Sequence, residues 1–152
     1  MAQRRELAFE NLDAALDDVR ELAAGEVQVI GGHTFAEIVR HLALTNNMVT
    51  GKIKPPTLPW YMRLAMPFLK SSILNGDVKP GFKLPAKMES YFWSTEPVEI
   101  EEAIEQLSAS IENYKANGPL EIHPVFGRAT RQQVDQLTLK HAAMHLSFVR
   151  RV

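Results

Sequence analysis

Apolar residues recur every three or four positions along four stretches of this chain, and nowhere do they alternate long enough to mark a strand. That spacing places one greasy stripe on each of four α-helices, which must pack against one another to hide it. The first stretch runs from Arg4 to Ala24, with Phe9, Leu12, Leu16, Val19 and Ala23 on its stripe and Gly25 as a stop. In the second, Thr34-Phe35-Ala36-Glu37 has the form of a capping box. Thr34 is its N-cap and Glu37 reaches back to the cap. This helix is expected to run towards Gly51, burying Phe35, Ile38, Val39, Leu42, Asn46 and Val49. A third clear stripe, Ile100, Ala103, Ile104, Leu107, Ile111 and Tyr114, predicts a helix from Val98 to Ala116, closed by Asn117-Gly118-Pro119. The same cap chemistry returns at Thr130-Arg131-Gln132-Gln133 and opens a final helix to about Val149.

Between the second and penultimate helices the pattern is broken. KPPTLP cannot continue a helix, because adjacent prolines lack the amide donors. A shorter apolar helix is expected from Trp60 to Leu74, with a kink at Pro67. Asn75 to Pro97 then reads as a long irregular loop, of the kind that often lies over a site. EVQVIGG and LEIHPVFGRA read as connectors. The expectation is a single all-α domain over residues 1–152, an up-and-down helical bundle with an additional short helix and a long loop.

Composition narrows the function classes. A formal charge of −1 gives no electrostatic case for nucleic acid, so no such partner is expected. The absence of cysteine removes thiolate metal sites and a cysteine nucleophile. No apolar signal core or membrane-length run is present, so a cytoplasmic setting is expected. Neither a G-x-G-x-x-G, a P-loop nor a G-x-S-x-G motif occurs.

The chemistry therefore rests on histidine. In KHAAMHLSF, His141 and His145 stand four residues apart on the final helix. At about 100° per residue, Val134, Leu137, His141, Met144, His145 and Phe148 share an arc of roughly 100°, which turns both imidazoles inward. Imidazoles one helical turn apart can approach a single metal ion, as in H-E-x-x-H proteins. Here Ala142, Ala143 and Met144 lie between them, so the metalloprotease glutamate is missing. A third histidine, His41 in IVRHLALTNN, falls on the flank of its helix's stripe, where a half-exposed side chain is the plainer reading. Glu37, one turn before it, either caps the helix or orients that imidazole. For His33 and His123 a structural role is the expectation.

The HLA-containing second helix, the late HPVFG connector and the final KHAAMHLSF helix together resemble the DinB/YfiT-like superfamily, most closely a bacterial branch of unknown function. RRELAFENLDAALDDVREL and HTFAEIVRHLAL fit the same branch, and the resemblance weakens only between about Lys52 and Glu96. It implies a four-helix bundle with a divalent metal, zinc or nickel foremost, held by His41, His141 and His145. Members of the branch often carry a further histidine just before the last ligand; Met144 stands there instead. The resemblance also implies a metal-dependent enzyme, a thiol transferase or a hydrolase, with a small molecule or thiol as cosubstrate. The alternative is a non-catalytic stress-response or interaction module, its metal structural or absent. Leu58 to Leu74, LPWYMRLAMPFLKSSIL, is expected to be a buried helix or a contact with a second copy in a homodimer, rather than a membrane surface.

Overall fold

In a computed structural model, which describes residues 3–81 and 84–152, the protein is largely helical. In chain order the elements are α1 (Leu12–Ala23), β1 (Val27–Val29), α2 (Phe35–Val49), α3 (Trp60–Asn75) and α4 (Ala86–Phe92). They are followed by α5 (Ile100–Asn117), β2 (Ile122–His123), β3 (Gly127–Arg128), α6 (Arg131–Leu146) and β4 (Val149–Arg151). Both capping boxes form: Thr34 and Glu37 exchange hydrogen bonds at the start of α2, and Thr130 and Gln133 do so at the start of α6. α5 ends at Gly118, whose φ of +68° is open to glycine at no steric cost.

Four helices supply one core. Leu16, Val19 and Leu22 of α1 meet Ile38, Val39 and Leu42 of α2, Leu107 and Ile111 of α5, and Ala142 and Leu146 of α6. Val19, Val39, Ile111 and Leu146 are sealed from solvent entirely, each worth about 1.5–3 kcal/mol of burial. α2 and α5 make the most extensive pairing, and across it the buried Asn46 amide donates to Ser110 Oγ at 3.1 Å.

The first helix is shorter than its apolar spacing predicts. Arg4 to Glu10 lie outside it because Asn11 takes the N-cap, extended in backbone and accepting from Ala14 N–H through its side chain. Phe9 still packs on the core from this non-helical lead. Two connectors also contain strand. β1 pairs antiparallel with β4, matching Val29 to Val149 and Val27 to Arg151, while β2 and β3 form a small hairpin. The expected loop after Asn75 contains α4, which packs against α2.

α3 departs from expectation in its surroundings. It passes through Pro67 as one continuous helix, and only Met66 and Leu74 of its sixteen residues are buried. Trp60, Tyr61, Leu64, Phe68 and Leu69 are exposed, so the helix is not the buried element its composition suggests. No helix among the described residues is long and apolar enough to cross a membrane.

Arg5 joins the start of the chain to its end. Its guanidinium takes Asp18 of α1 in a two-pronged ion pair, both contacts 2.8 Å, and donates to the carbonyls of Val149 at 2.6 Å and Leu146 at 3.1 Å. The Leu146 carbonyl is one of the helix-end acceptors that the α6 ladder leaves unpaired. The Arg5 backbone N–H also donates to Ser147 at 2.9 Å. Arg5→Ala should cost about 2–3 kcal/mol, the worth of charge-assisted bonds in a part-buried setting. Arg5→Lys should recover only a minor share, because an ammonium cannot grip a carboxylate with two parallel bonds. Urea unfolding midpoints measure both; an unchanged midpoint for Arg5→Ala would remove this role.

Candidate metal centre

The structure brings together three of the five histidines. His41 comes from the middle of α2, and His141 and His145 from successive turns of α6. Their ligand atoms all lie within 4.8 Å of one another, and the Nε2 atoms of His141 and His145 are 3.1 Å apart. Ring centroids stand 4.6 Å apart for His41–His145 and 5.3 Å for His41–His141. Two helices thus supply the cluster.

His41 is only 6% exposed, against the half-exposed position that its place on the flank of α2 suggests. The reason is α4. It lays residues 92 and 93 over that flank, and the Phe92 carbonyl receives a hydrogen bond from His41 Nδ1 at 3.1 Å. A carbonyl can only accept, so the proton of neutral His41 sits on Nδ1 and the Nε2 lone pair is left bare. Trp93 stacks flat on the His41 ring, centroids 4.0 Å apart and 6° between planes. His33 stacks on the indole's other face at 3.7 Å and 12°. Trp93 also meets His145 edge-on at 5.4 Å. Phe92 and Trp93 escaped the sequence reading because the segment carrying them shows no helical stripe long enough to orient it.

α6 is rotated relative to its expected phase. Its buried residues are Val134, Thr138, Ala142 and Leu146, a line turned roughly 90° from the arc that carries the histidines. That arc faces inward, but onto a cavity: Leu137, His141, Met144, His145 and Phe148 all line it. The cavity measures about 870 Å³, and Met48, Met62, Met66, Met88 and Phe92 supply much of its remaining wall. Most of this lining is apolar, as in small-molecule sites, with the imidazoles as its convergent polar groups.

The other candidates have different duties. Glu37 Oε2 accepts from the Thr34 amide at 2.7 Å and lies 3.7 Å from His33 Nδ1, while the hydrogen bond that orients His41 comes from Phe92. Buried His123 Nδ1 accepts the amides of Val125 and Phe126 at 3.1 and 3.2 Å, which folds the HPVFG turn around its ring. The buried Asn47 Oδ1 has no hydrogen-bond partner among the described residues.

Burial sets the charge of the cluster. Loss of solvent lowers His41 to about 3, with His141 adding a smaller push, and lowers His141 to about 4. His145 is driven down furthest, by burial first and then by its two neighbours. All three are neutral at pH 7, the state in which imidazole ligates metals. His123 is lowered to about 4 by burial alone.

These features define a class: a mainly helical protein with a three-imidazole cluster set in the wall of an apolar cavity. The particular family follows from the comparison of sequences. Residues 1–152 match DUF1569, protein of unknown function, and the chain belongs to that family. No curated protein and no solved structure matches the chain.

Buried His41 and His123 and half-buried His141 and His145 each have a folded-state pKa below the 6.5 of a free histidine. As pH falls through about 6.5, the unfolded chain takes up protons while the native one does not. Stability should be fully present above that pH and be lost progressively towards about pH 4, with His123 alone accounting for roughly 3 kcal/mol. Urea midpoints taken in chelator at pH 7.5 and pH 5 test this; equal midpoints would contradict it.

Proposed function

We propose that this protein is a DinB-like four-helix bundle, a single domain over residues 1–152, in which His41, His141 and His145 hold one divalent metal ion at the cavity wall. The observation that carries the reading is the convergence of three neutral imidazoles, ligand atoms within 4.8 Å, beside open space. A metal–nitrogen bond of about 2.0–2.1 Å puts ligand nitrogens about 3.0–3.4 Å apart. The 3.1 Å between His141 and His145 fits that range. The ligand atom of His41 lies within 4.8 Å of those of the other two.

Three imidazole donors bordering an open cavity would be the donor set of a catalytic site rather than a structural one. Bound there, a divalent ion supplies Lewis acidity that lowers the pKa of a water or a thiol. Around it, the Phe92 carbonyl holds His41 in the ligating tautomer, and Trp93 closes the side facing His33. Met144 stands where a fourth imidazole would be within reach, so this chain keeps an apolar wall at that point. We read the reaction as thiol transfer or hydrolysis on a small molecule, with zinc or nickel as the ion, since imidazole donors suit both.

A second reading rests on one specific contact. The 3.1 Å approach of the His141 and His145 nitrogens lets one donate to the other, and His41 is satisfied by Phe92. The cluster could then persist as a neutral hydrogen-bonded core of a non-catalytic interaction module.

Elemental mass spectrometry on untagged protein separates the two. The metal reading expects close to one divalent ion per chain, lost in His41→Ala and in His145→Ala. Protein that stays metal-free, and takes up no zinc, nickel, copper, iron or manganese on reconstitution, supports the hydrogen-bonded core instead. Trp93→Ala should retain the stoichiometry and weaken affinity about 10–100-fold, as removal of a group that orients a ligand does. Competition with a chromogenic chelator reads this directly, and an unchanged affinity would show that the stack on His41 is incidental. Turnover of a thiol with an electrophile, present in the wild type and absent in His145→Ala, would then assign the reaction.

A further inference from the structure

Five of the eight large apolar residues exposed among the described residues lie within ten positions of α3: Trp60 at 73%, Tyr61, Leu64, Phe68 at 87% and Leu69. At about 100° per residue they occupy one half of the helix surface, with Arg63 on its margin. A contiguous exposed apolar face of this kind marks a contact surface. The surrounding sequence says what it contacts. From Lys52 to Lys87 there are seven basic residues and a single acidic one, Asp77, whereas the rest of the chain holds ten basic and seventeen acidic residues. Lys52, Lys54, Arg63, Lys79 and Lys87 are exposed, and none of them is ion-paired among the described residues.

We propose that the outer face of α3 docks on an anionic lipid surface, its aromatic and aliphatic side chains entering the interface and the basic segment meeting the headgroups. Trp, Tyr, Phe and Leu on one face with cations beside them is the composition of a helix that lies in the plane of a bilayer. Indole and phenol rings favour the headgroup level, and a positively charged segment is drawn to negative lipid. A second copy of this chain fits less well. A two-fold contact through α3 would place the same basic segment opposite itself, and like charges oppose that association. The proposal stands whether or not the histidines hold an ion. The opposite side of α3 gives Met62, Met66 and Ile73 to the cavity wall, so docking sets this cavity against the bilayer.

Co-sedimentation with vesicles tests it. The full chain should pellet with equimolar phosphatidylcholine–phosphatidylglycerol vesicles at about 0.1 M salt and remain in solution with phosphatidylcholine alone. About 1 M salt should release it, as screening requires. Leu64→Ser and Phe68→Ser, both at exposed positions, should lower partitioning at least about tenfold while circular dichroism is unchanged. Arg63→Glu should weaken it by a smaller factor. Failure of the wild type to pellet with anionic vesicles overturns the proposal, as does partitioning that ignores both serine variants. Light scattering that finds a dimer, converted to monomer by Phe68→Ser, would assign the face to a second copy instead.

Discussion

Three imidazoles can be packed side by side in a protein interior only if none of them carries a proton too many. This constraint organises the structure around His41, His141 and His145. A charged ring at any of the three would face both desolvation and the other two, which is why burial and mutual proximity push their affinities for protons in the same direction. Neutral rings still need partners, and the chain provides them from unexpected places: a backbone carbonyl at the end of a seven-residue helix for His41, and the helix-mate nitrogen for the final pair. The short α4 is thus a positioning element. Its last carbonyl and the indole that follows control the tautomer and tilt of an imidazole borne by another helix.

How much of this was legible in the sequence varies with the range of the forces involved. The starts of α2 and α6 were readable because a capping box is a local exchange of hydrogen bonds among four residues. The stripe of α5 was readable because that helix turns one clear face to α2 and α1. Helical spacing placed His141 and His145 on one face of α6, and the structure turns that face to the cavity. The burial of His41 was not legible, because it depends on α4 lying across the flank of α2, a tertiary contact with no local trace. α6 shows a subtler failure. Its large apolar residues suggested a core-facing arc, yet the close packing is made by the smaller Val134, Thr138 and Ala142 with Leu146, and the larger side chains border empty space. Where a cavity exists, bulk and burial part company.

The strands were missed for a related reason. Three residues of alternation carry too little pattern to identify β1, and its partner lies at the other end of the chain. Val27 and Val29 favour an extended backbone, but only the pairing with β4 fixes the strand and its register. α3 is the opposite case: its composition speaks for burial on every side, but its place in the fold buries one side and leaves the other open. Composition alone cannot distinguish a helix that is covered by its own chain from one that is covered by something else.

The pairing of β4 with β1 has a further bearing on the histidines. Only three residues separate His145 from Val149, where the strand begins, and Arg5 holds carbonyls on both sides of that junction. The strand cannot slide without breaking its register, so it acts as a stop that prevents α6 from turning about its own axis. Loss of one residue between His145 and Val149 would force the helix to rotate by about 100° or the strand to slip, and either would swing the two imidazoles away from His41. The aim of the cluster is held away from the cluster itself, by the backbone of Val149 to Arg151.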